Sequence, residues 1–136
     1  MTLGIYTGTQ SDSGIINFTV NCTAGSPNYT IAINGGNSGS TANRTMKSGS
    51  VTLRYALFRD AARTQNWGNV SGTDTYAGNG SVATVNIPVY PRMAAGQFPV
   101  PGTYVDTVST GTKSFTVNAT VAANCVISAT NLAFGT

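Results

Sequence analysis

Alternation of apolar and polar residues is the sequence feature that most restricts how this chain can fold. Within residues 15–22 the side chains of Ile16, Phe18 and Val20 share one face with Cys22, and polar residues occupy the other face. This period of two is typical of a half-buried β-strand. Similar strand segments are predicted at residues 29–33, 51–57, 82–87, 103–109 and 114–121. Short strands separated by turn residues predict an all-β chain with the architecture of a β-sandwich.

The composition also argues against helices. The 136 residues contain no Glu, and β-branched Thr and Val are abundant. Long side chains favour helices and β-branched side chains favour strands, so we expect nearly all strand and turn. A chain of this length fits one domain with one core.

Loops and prolines divide the predicted strands. Gly35 and Gly36 indicate a turn, and the polar residues 37–50 that follow predict a loop. Pro88 and Pro91 are expected to interrupt strand pairing or to lie at a sheet edge, because proline has no N–H to donate.

The residue types that are missing exclude most chemistry. The chain has no His, no Glu and four Asp, which rules out a Ser-His-Asp triad, a His-based metal site and a general acid–base histidine. Its seven Lys and Arg are scattered, whereas nucleic-acid binding needs a clustered basic stripe. We therefore expect no enzyme, no cofactor, no metal and no nucleic-acid partner. We also expect no membrane span and no signal peptide, since there is no run of 18 apolar residues and no basic segment with an apolar stretch after Met1.

Cys22 and Cys125 lie near opposite ends of the chain, each beside alternating apolar residues. A disulfide between them is the first interpretation, since the Asn-, Thr- and Ser-rich composition is typical of secreted proteins. The alternative is a pair of buried, reduced thiols in a cytosolic protein. Neither cysteine belongs to a CxxC pair, so redox catalysis and structural zinc are not expected.

Two other residues have alternative interpretations. Trp67 could form a sugar-stacking platform with Tyr76, but a tryptophan beside Gly68 after a strand favours packing against the body of the protein. Asp106 could be catalytic, but with no base, nucleophile or metal cluster a structural hydrogen bond is the better interpretation.

Several segments together resemble one known family. Residues 53–64 (LRYALFRDAART), the pair Trp67-Gly68 and residues 101–108 (PGTYVDTV) resemble the spore coat protein U domain. That family includes subunits of archaic, Csu-type chaperone-usher pili. Residues 125–136 resemble its first strand and residues 18–22 its second. The matches span most of the chain.

The order of these segments differs from that of the family. The segment that resembles the start of a family member lies here at residues 114–136, so the chain has a circularly permuted order. We divide it into a pilin body at residues 1–110, and a donor strand plus the first strand of the family order at residues 111–136. Two explanations stay open. The chain is either rearranged, or it combines one subunit's body with the opening segment of its neighbour in a fibre.

The resemblance implies an immunoglobulin-like β-sandwich that lacks its last strand and is completed by a donor strand. The donor strand is expected at residues 114–121, where one apolar face consists of Phe115, Val117, Ala119 and Val121. The implied partners are identical pilin subunits, a periplasmic chaperone and an outer-membrane usher. The implied role is that of a structural pilin, exported through the periplasm to an extracellular, cell-surface pilus for adhesion and biofilm formation. The alternatives are a tip adhesin or carbohydrate-binding surface domain, which would use loops at residues 37–50 or 67–80, and a spore-coat-type structural protein.

Overall fold

Strands form nearly all of the regular structure in the computed structural model, which describes residues 1–111 and 113–123. Within these residues the strands are β1 (Thr2–Tyr6), β2 (Ile16–Asn21), β3 (Tyr29–Ile31), β4 (Arg44–Ser48), β5 (Val51–Phe58), β6 (Tyr76–Gly78), β7 (Thr84–Arg92), β8 (Gly102–Thr110) and β9 (Lys113–Val121). A single turn of 3-10 helix covers Gly36–Ser38. The all-β prediction is confirmed.

Seven of the strands form one sheet in the order β1-β9-β8-β4-β5-β7-β2, and β3 pairs with β6 in a separate two-stranded sheet. Neighbouring strands run antiparallel except β1 and β9, which run parallel. The large sheet curls around one apolar core, an arrangement compatible with an immunoglobulin-like β-sandwich.

The prolines of β7 do not interrupt it. Pro88 pairs with Asn17 of β2, and Pro91 pairs with Leu57 of β5. The prediction that these prolines interrupt pairing is wrong, since β7 continues through both of them, but the alternative prediction that they lie at an edge holds locally. The physical reason is that β7 changes partner along its length, pairing with β2 at residues 84–89 and with β5 at residues 90–92. Each proline thus has a named strand partner on one side only, where a missing N–H can be tolerated.

Strand β4 lies inside the predicted polar loop at residues 37–50, so that prediction is wrong in its second half. A tight turn at Gly49, with φ of +62°, connects β4 to β5, and Ser48 pairs with Val51. The alternation in β4 is hidden in the sequence because only Met46 of its two buried positions is apolar. The other buried position is Arg44. Strands β1 and β6 were also not predicted.

The core is built from the inward-facing residues of the sheet and from Trp67. Leu53 and Leu57 of β5 are fully buried, and Met46 pairs with Leu53 across the β4–β5 ladder. Burying side chains of this size stabilises the fold by about 1.5–3 kcal/mol each. Trp67 is also fully buried, and its Nε1–H donates to the Ile31 carbonyl at 2.8 Å. Its predicted packing against the body is confirmed.

Candidate functional site at strand β9

Strand β9 is an interior strand, although it follows β8 directly in the chain. It pairs with β8 over nine residue pairs, from Gly102 with Val121 to Thr110 with Lys113. On its other side it runs parallel to β1, and Asn118 donates its N–H to the Met1 carbonyl at 3.0 Å. Since β9 separates β1 from β8, the sheet is continuous at this end only when β9 is in place.

Burial alternates along β9. Val117 and Ala119 are buried at 0% and 2% exposure, Val121 is buried at 7%, and Phe115 is half-buried. Ser114, Thr116 and Thr120 are exposed, and Asn118 is half-buried. The odd-numbered residues from Phe115 to Val121 thus face the core, which is the apolar face expected from the sequence.

An aromatic cluster extends from β9 across the sandwich. The Phe115 and Phe18 rings meet edge to face with centroids 5.6 Å apart, and Phe18 meets Trp67 in the same way at 5.6 Å. Trp67 in turn stacks on Tyr76 at 5.8 Å. Aromatic pairs of this kind contribute about 0.5–1.5 kcal/mol each beyond their area burial. Because Trp67 is fully buried, its ring is not available to stack on a sugar from solvent.

A cleft of about 480 Å³ lies beside this cluster, between β2 and the beginning of β9. Its apolar lining consists of Ile16, Phe18, Val20, Ile31 and Phe115. The inward residues of β2 are only half-buried, whereas Leu53, Tyr55 and Leu57 of β5 are buried. The core is therefore less completely covered along β2 than elsewhere.

Asp106 of β8 is buried and bound by three donors. Its Oδ1 accepts from the backbone N–H groups of Asn37 and Thr107, both at 2.8 Å. Its Oδ2 accepts from the Tyr55 hydroxyl at 2.6 Å. Burial and this hydrogen bond to Asp106 raise the pKa of Tyr55 far above its ordinary value. The predicted structural hydrogen bond of Asp106 is confirmed, and it fixes the 3-10 turn at Gly36–Ser38 against β8.

Arg44 is a fully buried cation that the sequence reasoning missed. Its guanidinium donates only to backbone carbonyls, those of Ile33, Asn34, Thr41 and Trp67, at 2.7–3.0 Å. Burial lowers the pKa of Arg44 from its ordinary value. The signal in the sequence is its position two residues before the apolar Met46, since residues two apart in a strand share a face.

Cys22 follows β2 directly and is half-buried, and its N–H donates to the Ala83 carbonyl at 2.8 Å. Cys125 and the predicted first strand at residues 125–136 lie outside the described residues. The disulfide between Cys22 and Cys125 therefore stays a prediction.

Neither a metal-binding cluster nor a membrane-spanning helix occurs in residues 1–111 and 113–123. The structure brings together no group of three His, Cys, Asp or Glu side chains suited to a metal ion. No helix there is long and apolar enough to cross a bilayer.

Comparison with models of known protein families identifies a family for this chain. The family model described as the Spore Coat Protein U domain matches residues 3–111, which are most of the chain and extend from the second residue of β1 to the end of β8. The search of curated proteins gives no match.

Proposed function

This chain belongs to the Spore Coat Protein U domain family, and from that premise we propose that it is a structural subunit of a bacterial surface pilus, polymerised by exchange of strand β9. The family consists of structural proteins of pilus and spore-coat type rather than enzymes. The proposed partners are further copies of the subunit, a periplasmic chaperone and an outer-membrane usher. The proposed location is the cell surface, where such fibres support adhesion and biofilm formation.

The position of β9 is the observation that carries this proposal. Removing β9 would leave unpaired backbone groups along β8 and β1, and would open the core over Tyr104 and Val108 of β8. An exposed row of unpaired donors and acceptors above an apolar groove is a ready template for another strand. Strand addition of this kind is an established mode of protein recognition. The body thus has the features of a receptor for a segment such as β9.

The composition of β9 suits both roles that the proposal gives it, which are to complete the sheet of one copy and to be exchanged between copies. Its buried residues are Val117, Ala119 and Val121, and burying the valines stabilises the filled groove by about 1.5–3 kcal/mol each. Its backbone contributes a ladder with β8 over nine residue pairs. Because the same segment of another copy would make identical contacts, exchange between copies costs none of them. In the present arrangement Thr110 pairs with Lys113, and β9 pairs with β8 of its own chain.

The test is a matched pair of charged substitutions on neighbouring residues of β9. Val117→Asp places a carboxylate in the core, where an unpaired charge is strongly disfavoured. Thr116→Asp places the same group on the exposed face. Cells that produce each variant are examined by negative-stain microscopy, and sheared surface fractions are probed for the subunit.

We expect Thr116→Asp cells to carry fibres, and Val117→Asp protein to remain chaperone-bound or aggregated with no fibres on the surface. Fibres of normal abundance and normal heat stability from Val117→Asp would contradict the proposal and leave β9 as an ordinary sandwich strand.

A further inference from the structure

We propose that the outer face of strands β4, β5 and β7 binds an acidic polysaccharide through Lys47, Arg54 and Arg92, beside which Arg63 adds a fourth positive charge. These four residues are called the basic row below. The proposal goes beyond the function proposed above, because none of them belongs to β9. They are scattered in the sequence, and the fold brings them together.

The ladders of the sheet place three members of the basic row side by side. Lys47 of β4 lies opposite Thr52 of β5, two residues before Arg54. Arg92 of β7 lies opposite Ala56, two residues after Arg54. Residues two apart in a strand share a face, so these cations are diagonal neighbours about 7–8 Å apart. Their face points away from the core, since Lys47 and Arg54 are exposed and the alternate residues of β5 are buried.

Arg63 brings the fourth cation to the row. Its guanidinium carbon lies 5.5 Å from the centre of the Tyr90 ring, which shares the outer face with Arg92. Its Nη2 donates to the Asp12 carbonyl at 2.9 Å, and the Asp12 carboxylate accepts from Nε and Nη2 of Arg92 at 2.8 and 3.1 Å. The Arg63 side chain is 11% exposed, so it adds its charge from behind the other three. Its φ of +56° is uncommon for a residue other than glycine.

The formal net charge of the chain lies on this face. The basic row and Asp12 together carry four cations and one carboxylate, and the other three cations of the chain are matched by the other three carboxylates. The net charge of +3 is therefore the charge of this face. Within residues 1–111 and 113–123 the Arg54 side chain makes no hydrogen bond and no ion pair, so its guanidinium can receive an external anion.

A cleft of about 270 Å³ lies between Arg54 and Arg92. Its lining includes the apolar side chains of Ala42, Ala56, Phe58 and Ala94. Pockets for whole ligands are typically about 300–1,000 Å³, so a cleft of this size takes one unit of a longer chain. A sugar that carries a carboxylate suits it, because the carboxylate accepts from a guanidinium and the C–H groups of the ring pack on apolar side chains.

A second copy of this chain does not supply the carboxylates. Asp106 is buried, and Asp12 is held in its own ion pair. Asp60 and Asp74 each accept hydrogen bonds from backbone N–H groups of their own loops. Each acidic side chain of the protein is thus already bound within its own copy, and the partner is a different molecule.

Nucleic acid matches the basic row less well than a polysaccharide does. Duplex DNA carries one charge per about 1.7 Å, which is much denser than cations about 7–8 Å apart. Single strands are held largely by bases that stack on aromatic rings. On this face the guanidiniums of Arg92 and Arg63 lie over the rings of Phe58 and Tyr90. A polysaccharide with one carboxylate per sugar has wider charge spacing and needs no aromatic platform.

The experiment measures the binding of fluorescently end-labelled polygalacturonate to the full-length chain by fluorescence anisotropy. Arg54→Gln removes one cation from the basic row, and the double variant with Lys47→Gln removes two. The charge-matched control is Ala24→Asp, which lowers the net charge by one in an exposed turn beyond the other end of β7. That end, Thr84, is eight residues from Arg92, about 26 Å at about 3.3 Å per residue. This distance exceeds the Debye length of about 10 Å at about 0.1 M salt.

We expect polygalacturonate to bind at about 50 mM salt and to dissociate at about 0.5 M salt, because exposed charges are then screened. Arg54→Gln should raise Kd about fivefold through the loss of one exposed ion pair, and the double variant should raise it more than about tenfold. Ala24→Asp should bind like the unmodified protein, and neutral dextran of the same length should not bind. Equal Tm values for the variants check that each is folded.

Absence of polygalacturonate binding at low salt would overturn the proposal, and so would equal Kd values for the unmodified protein and the double variant. Tighter binding of a DNA oligonucleotide of equal charge, weakened by the same substitutions, would overturn it by assigning the face to nucleic acid. The fibre test with Val117→Asp and Thr116→Asp changes β9 alone, so failure of this proposal and failure of the proposed function are distinguishable.

Discussion

Replacing Arg44 with methionine tests whether the buried guanidinium stabilises the fold. Methionine keeps the unbranched chain and much of its volume but has no donors. The Arg44 side chain crosses from β4 to the segment after β3 and to the segment at Trp67, where it donates to carbonyls at 2.7–3.0 Å. The backbone N–H groups of Ile33, Asn34 and Trp67 donate to other carbonyls, so Arg44 matters as the donor to the carbonyls of these segments.

The size of the effect follows from the carbonyls that lose a donor. The bonds from Nη2 to the carbonyls of Ile33 and Trp67, at 2.8 and 2.7 Å, are fully buried. The bonds to Asn34 and Thr41 are partly buried, so water can replace the guanidinium there. Each buried acceptor left without a partner costs about 1–3 kcal/mol, which gives about 2–6 kcal/mol for the pair. Removing a buried charge offsets part of this cost, and we expect a loss of at least about 2 kcal/mol.

The assay is thermal unfolding followed by circular dichroism and by Trp67 fluorescence. For a domain of this size each kcal/mol corresponds to about 4 °C, so Tm should fall by at least about 8 °C. The matched control is Arg54→Met, since Arg54 is exposed on the adjacent strand β5 and its side chain makes no hydrogen bond in the described structure. That control should change stability by less than about 0.5 kcal/mol. Equal Tm values for Arg44→Met and the unmodified protein would refute the reasoning.

Two further predictions concern a glycine and an ion pair. Gly36→Ala should destabilise the protein more than Gly39→Ala in denaturant titrations, because both have positive φ but only a Cβ at Gly36 would collide with the Asp106 carboxylate; equal losses would contradict this. The Arg92 guanidinium lowers the pKa of Asp12 from its ordinary value of 3.8, so its stabilising contribution is complete above that value and is lost as pH falls through the lowered pKa. The Tm of Asp12→Asn should therefore fall less steeply below about pH 4 than that of the unmodified protein, and parallel profiles would argue against the ion pair.

The sequence predicted the longer strands in which apolar and polar residues alternate regularly. Strand β1 was missed although its buried residues Leu3 and Tyr6 are apolar, because an irregularity between Thr2 and Ile5 places them three residues apart. Strands β2, β5, β8 and β9 each show the alternation directly. Strand β4 was missed because Arg44 occupies one of its two buried positions. The hydrogen-bond partners of Arg44 are backbone carbonyls, which no sequence pattern identifies. The interior position of β7 was missed for a similar reason, since whether a proline is tolerated depends on which side of the strand has a partner.

The candidate site was predictable in part. The apolar face of β9 follows from its period of two, and the resemblance supplied its proposed role. What the sequence could not predict is the parallel pairing with β1 and the open edge of β2, because both depend on the curl of the whole sheet. The orientation of β2 relative to β9 is a property of topology in the same way.

The register of β9 is fixed by two different features of its sequence. A shift by one residue would turn Ser114, Thr116 and Thr120 toward the core and leave their hydroxyls without partners. A shift by two residues keeps the apolar face inward, so alternation alone does not exclude it. Ala119 does exclude it, because it pairs with the fully buried Tyr104, and a valine moved to that position would overpack the core by about 1–3 kcal/mol. The same two features apply whether β9 enters its own groove or that of another copy. A strand with few large side chains can therefore still enter a neighbour's groove in one register.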